Sequence, residues 1–84
     1  MASSKREINE KKFSFWEEND LGRLYWFEID GKFGWKARYL KQVDKDDITI
    51  KFWQEIYNNL GILEEIHEKY PEDKGHVKLN KDDY

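Results

Sequence analysis

Residues able to do chemistry crowd into one segment, His67-Glu68-Lys69-Tyr70-Pro71-Glu72-Asp73-Lys74-Gly75-His76, which holds both histidines of the chain. The histidines flank a loop that could fold them toward each other. A metal-independent ribonuclease needs a general base, a general acid and cations that balance the charge of the phosphorane transition state. His67 and His76 together with Lys69, Tyr70 and Lys74 could supply these roles, so these five are the candidate catalytic residues. A metal reading would use His67, His76 and Asp73, but their spacing matches no standard ligand pattern, and neither metal nor cofactor is expected. The plainer alternative is a surface strand that runs into a proline-containing loop, with its histidines at solvent edges.

A second candidate lies mid-chain, where aromatic and basic residues interleave: Trp26, Lys36, Arg38, Lys51, Trp53 and Tyr57. Single-stranded nucleic acids are held in this way, with bases stacked on rings while Lys and Arg follow the phosphates. Glu28, Glu55 and Glu65 fall among these residues, and cross-strand pairing with them would instead make an ordinary ion-paired sheet face. The net charge of −3 gives the whole chain no attraction for phosphate backbones, so a nucleic-acid site must be a local patch. Nothing resembles a phosphate-binding glycine loop, a nucleophile elbow or a dinucleotide fingerprint. The glycines are turn glycines.

These residues must be positioned by a small fold. A chain of 84 residues is read as one domain with a marginal core. Aromatics at 17%, including four Trp, mark it as folded despite 39% charged residues. The absence of Cys excludes disulfides and makes a cytosolic setting the default. Residues 1–12 are too polar for a signal peptide, and no stretch approaches the roughly 20 apolar residues of a membrane span, so a cytoplasmic protein is expected. Abundant Lys and Glu is a pattern enriched in heat-loving prokaryotes, and AT-rich genomes produce much of it too.

Residues 1–12 form a polar arm in which Ser4 and Glu7 are spaced as a capping box, allowing one or two helical turns with little to add to a core. From Phe13 the apolar residues alternate with period two between turn signals, the pattern of a β-meander. The runs are Phe13 to Glu17, Arg23 to Ile29, Trp35 to Val43, Ile48 to Tyr57 and a fifth reaching Tyr70, with Val77 to Leu79 as a short edge strand. Asp30-Gly31 is a hairpin signal. Residues 13–79 are thus a β-rich domain and residues 80–84 a mobile tail. Phe52, Ile56, Leu60, Leu63, His67 and Tyr70 also fall at helical spacing, but Ile48-Thr49-Ile50 and Trp53 favour strand and Asn58-Asn59 interrupts the stripe. The predicted fold is mainly β, or α+β with a short N-terminal helix: an antiparallel meander sheet of about five strands that can curl or become barrel-like.

Register can be tested by chemistry, because a one-residue slip exchanges the faces of a strand. Pairing the third and fourth runs across Asp44 to Asp47 sets Val43 opposite Ile48, Tyr39 opposite Phe52, Arg38 opposite Trp53 and Lys36 opposite Glu55. An odd loop around Asp30-Gly31 keeps Tyr25, Phe27 and Ile29 with Trp35, Ala37 and Tyr39. A loop of three or five residues after Tyr57, the favoured length, keeps Ile62, Ile66 and Tyr70 on that same face, whereas a loop of four would put Leu63 and His67 there. The expected core is Tyr25, Phe27, Ile29, Trp35, Tyr39, Ile48, Ile50, Phe52, Ile56 and Ile66. The second face carries Trp26, Lys36, Arg38, Lys51, Trp53, Glu55, Tyr57, His67 and Lys69. With no amphipathic helix to cover the core face, the sheet must curl or pack on another copy, so a homodimer is expected.

The order of short aromatic strands followed by His-x-Lys-Tyr-Pro-x-Asp-x-Gly-His, from His67 to His76, resembles small prokaryotic proteins of unknown function. More distantly it is similar to the TumE-like toxins of toxin–antitoxin loci, which also end in a His-containing loop after a β-rich region. The likeness runs loosely from Leu24 to Leu79. TumE-like proteins cluster several histidines where this chain has two, so the resemblance implies site residues and no mechanism. The leading expectation is a non-enzymatic, self-associating binding module with a protein or single-stranded nucleic-acid partner and no membrane; the alternatives are a toxin-type ribonuclease and a single-stranded nucleic-acid binder. Whether there is a small-molecule substrate is left open by the sequence.

Overall fold

The computed structural model describes residues 4–79. The protein is mainly β, as the alternation predicts: one short helix, then six antiparallel strands in a single sheet ordered as a meander. Helix α1 spans Lys5–Lys12, and the strands are β1 Phe15–Glu18, β2 Gly22–Asp30, β3 Lys36–Asp44, β4 Thr49–Tyr57, β5 Leu63–Tyr70 and β6 Gly75–Lys78. β1 and β6 stand at opposite edges, so the sheet is open and not a barrel. The tail at residues 80–84 lies outside the described residues. No described helix is long and apolar enough to cross a membrane.

The capping box forms: the Ser4 hydroxyl accepts from the Glu7 N–H, and the Glu7 carboxylate accepts from the Ser4 N–H, both at 3.1 Å. Phe13 ends the helix in extended conformation, and its N–H returns to the Asn9 carbonyl. β1 therefore begins at Phe15, two residues later than the alternation suggests. At the next turn Gly22 is obligatory, because a Cβ there would lie 2.4 Å from the Asp44 carbonyl carbon of β3.

Between β2 and β3 the loop over residues 31–35 has the expected odd length and sets Ile29 opposite Ala37 and Phe27 opposite Tyr39. Between β3 and β4 the pairing is two residues away from the expected one: Tyr39 faces Gln54, Arg38 faces Glu55 and Lys36 faces Tyr57. Two local features cause the offset. Asp44 bonds Ile48 across a tighter turn, and Ile50 is an extra residue where the ladder shifts at Gln42/Val43. From Lys51 onward the net shift of two preserves the faces while the partners change. Before the bulge the offset is one, so Thr49 lies opposite Val43 on the first face, where Ile48 and Ile50 were expected.

β5 corrects the expectation more deeply. The loop over residues 58–62 has an expected length, but Glu64 is an extra residue between the pairs Tyr57–Leu63 and Ile56–Glu65. That bulge turns β5 over, so His67 lies on the Tyr25 face and Ile66 on the second face, the reverse of the predicted arrangement. A second irregularity between Trp53–Glu68 and Phe52–Tyr70 returns Tyr70 to the Phe52 side. Lys69 Nζ lies 5.9 Å from the Tyr39 ring centroid, which puts it on the first face too.

Among the described residues, the buried apolar side chains are Phe13, Tyr25, Leu40 and Val43. Phe13 was not expected in the core, yet it packs on Tyr25 and Phe27 with ring centroids 5.7 and 5.4 Å away. The aromatic row continues from Phe27 to Tyr39 and on to Phe52. Ile29, Trp35, Ile48 and Ile50, all expected in the core, are exposed, and Ile56 is half-buried. The expectation that nothing covers this face is half overturned. α1 covers the Asp47 end, but it docks through polar groups: its buried residue is Asn9, while Ile8 is exposed.

Candidate functional site

The structure brings the two histidines together. His67 and His76 are register partners on β5 and β6, with ring centroids 4.5 Å apart. His67 Nε2 is 2.5 Å from Asp73 Oδ1, and His76 Nδ1 is 3.2 Å from Glu65 Oε1. The Asp73 oxygen also accepts from the Gly75 N–H. These contacts, the one with His67 foremost, hold the Asp73 carboxyl below its usual range. His67 Nδ1 is buried with no hydrogen-bond partner among the described residues. With Nε2 engaged by Asp73 and Nδ1 buried, His67 has no ring nitrogen open to a substrate. His76 Nε2 is the nitrogen of the pair that remains available.

The other candidate catalytic residues do not converge on this pair. Lys74 Nζ lies 3.5 Å from Glu68, which is aligned with Trp53 on the second face. Lys69 stands over Tyr39 on the first face, and Tyr70 is an exposed register partner of Phe52. No group of three or more His, Cys, Asp or Glu side chains among the described residues is arranged to hold a metal ion.

All six residues of the aromatic-basic set share one face. Trp26, Leu40 and Trp53 align in one row, Arg38 and Glu55 in the next, and Lys36 and Tyr57 beyond it. Arg38 donates to Glu28 at 2.6 Å and stands 5.4 Å from the Tyr57 ring centroid. Glu55 accepts from the Trp53 indole at 3.0 Å and the Tyr57 hydroxyl at 2.6 Å. Burial first, then that bond to Glu55, pushes the Tyr57 hydroxyl up to about 12. Lys51 lies 4.9 Å from the Trp53 ring centroid and 3.6 Å from Glu68. Each cation of the set is matched by a carboxylate or a ring. Glu68 takes the part expected of Glu65, which the β5 bulge carries to the other face beside His76. Such a face draws little on a polyanion.

The most elaborate site was not anticipated. Asp47 has a left-handed backbone, with φ at +58°, and its side chain is 4% exposed beneath α1. Its carboxylate accepts from the Tyr25 hydroxyl at 2.6 Å, Asn9 Nδ2 at 3.3 Å and Arg6 Nη2 at 3.1 Å. Burial alone would raise the Asp47 carboxyl, but the bonds from Tyr25, Asn9 and Arg6 together outweigh it and hold the group below the usual carboxylate range. Asn9 Oδ1 accepts in turn from Lys41 Nζ at 2.9 Å. Arg23 ties the same helix to β1, donating to Glu10 at 2.7 Å and Glu18 at 2.6 Å. In the sequence Asp47 is one of several charged residues in a polar loop, and only the Ser4 capping box hinted at the helix that buries it.

Comparison with family models, with curated proteins and with solved structures gives no match.

Proposed function

We propose that the chain is a non-enzymatic interaction module that self-associates, packing the uncovered end of its first face against the same surface of a second copy. The observation that carries this is uneven cover on a single-layer sheet. α1 and Phe13 shield the Asp47 end, while Ile29, Ala37 and Ile56 form a row across β2, β3 and β4 at the other end, with Ile29 50% exposed. Beyond the row, the β2–β3 loop carries Phe33, 89% exposed, and the β4–β5 loop carries Leu60, 76% exposed. The loops are neighbours, since a Cβ on Gly34 would lie 3.1 Å from that of Asn59. Phe33 is held at φ +59°, a conformation that costs a non-glycine residue about 1 kcal/mol and needs a compensating use.

Domains are ordinarily built from two packed layers, and a sheet with one open apolar end lacks its second. The row continues on β5 and β6 with Glu65 opposite Lys78, so a two-fold arrangement can set acid against base at the rim. A standard interface takes about 800 Å² per partner, a small part of the 6169 Å² that the chain exposes. Sedimentation velocity from low to high micromolar concentration tests the proposal: a monomer–dimer shift is expected, and Ile29→Asp should abolish it. A monomer throughout that range would refute it.

Toxin-type ribonuclease activity is the second reading, favoured by the His67–His76 contact alone. It predicts RNA cleavage in EDTA that is lost in a His67→Ala, His76→Ala double variant. Single-stranded RNA binding through Trp26, Lys36, Arg38, Lys51, Trp53 and Tyr57 would have to overcome the carboxylates that already pair this face. A titration at low salt that shows no binding removes it.

A further inference from the structure

A groove of about 550 Å³ opens between α1 and the sheet, at the opposite end from the uncovered apolar row. Its size falls within the roughly 300–1,000 Å³ of small-molecule sites. Ile8, Ile48, Phe52 and Tyr70 supply apolar wall, while Lys5 and Lys41 bring positive charge. Asp47 also borders it, but the carboxylate is already engaged by Tyr25, Asn9 and Arg6.

Lys41 is the group that this arrangement leaves incomplete. It is half-buried, and no carboxylate among the described residues lies within ion-pair distance of it. An ammonium has three protons to donate, and the structure gives one of them an acceptor, Asn9 Oδ1. The ring of Phe13 lies 5.9 Å from Nζ and offers only its face. Burial first, then the charge of Lys12, pushes the Lys41 amine down from its usual range, with Asp47 partly offsetting them. A partly desolvated cation without a counter-ion, at the edge of an apolar groove, is complementary to an anion that brings its own apolar surface.

We propose that this groove binds an organic carboxylate with an aliphatic or aromatic tail, the carboxylate on Lys41 and the tail along Ile8, Phe52 and Tyr70. A polyphosphate or nucleic acid fits worse, because the walls are largely apolar and the cations few. The proposal is independent of self-association.

The test is an NMR titration of the full-length ¹⁵N-labelled protein with decanoate, decanol and acetate. Decanoate is expected to give saturable shifts at Asn9, Lys41, Phe52 and Tyr70, and to bind at least about tenfold tighter than decanol or acetate. Lys41→Met keeps the apolar stem and removes the charge, and should reduce decanoate to the affinity of decanol. Ile8→Glu changes an exposed helix position that the core does not use, and should weaken decanoate by about tenfold through like-charge repulsion while the spectrum stays dispersed. It also carries the test if Lys41→Met fails to fold. Ile29→Asp should leave the response unchanged, which keeps this result separate from the dimer. No saturable shift, equal affinity for decanol and decanoate, or decanoate binding indifferent to both Lys41→Met and Ile8→Glu would overturn the proposal.

Discussion

Replacing Asp47 by Ala should cost this small domain about half of its stability and release α1. The carboxylate takes one hydrogen bond each from Tyr25 and Asn9, both buried. Without it the Tyr25 hydroxyl and the Asn9 amide lose their acceptor inside the protein, at about 1–3 kcal/mol each. The Arg6 pair adds little, because the Arg6 side chain is 45% exposed and water replaces its partner. Ala at a φ of +58° adds about 1 kcal/mol. The sum is about 3–7 kcal/mol, against a total of about 4–12 kcal/mol for a domain of this length. Urea denaturation followed by Trp fluorescence reads the loss, and amide hydrogen exchange over Lys5–Lys12 reads the release of the helix. A change below about 1 kcal/mol, with α1 still protected, would refute the claim that buried polar contacts dock the helix.

Acid should act through the same carboxylate. The folded-state pKa of Asp47 lies below its unfolded value, so its contribution is complete above about pH 4 and is lost as pH falls through the folded value. Asp47→Asn should be less stable at neutral pH and show a flatter acid limb in urea midpoints measured against pH. At the alkaline end, burial first and the bond to Asp47 next push the Tyr25 hydroxyl up to about 12, and Tyr57 is raised to about 12 as well. Their raised pKa values contribute stability that is complete below about pH 10 and is lost as pH rises toward 12. Ultraviolet titration should show Tyr25 and Tyr57 ionising late, and Tyr25→Phe should remove one late step. Phe13→Ala should cost about 3–5 kcal/mol in urea denaturation, as for other buried Phe truncations.

Much of the sheet was legible, because period-two alternation and turn chemistry carry faces reliably. Asp30-Gly31 ends β2 as its residues predict, and the odd loop that follows keeps Phe27 with Tyr39. What escaped was whatever depends on a single inserted residue. The bulge at Glu64 has no mark in the sequence, yet it turns β5 over and exchanges Ile66 with His67. The pairing of His67 with His76 across the Pro71 loop was foreseeable from their positions, but their engagement by Asp73 and Glu65 was not. α1 escaped for a different reason. An apolar stripe is the usual sign that a helix will be covered, and this one is held through Asn9, Arg6 and Glu10 instead. Such contacts have no periodicity to read, and Asp47 looks like any loop carboxylate until the turn aims it beneath the helix.

Self-association is the central functional claim, and isotope-filtered NMR on a mixture of labelled and unlabelled protein tests it most directly. Contacts between copies are predicted at the side chains of Ile29, Ala37, Ile56 and Phe33, and their absence at Phe13. A filtered spectrum empty of intermolecular contacts at high micromolar concentration, or contacts confined to the Trp26–Trp53 face, would contradict it.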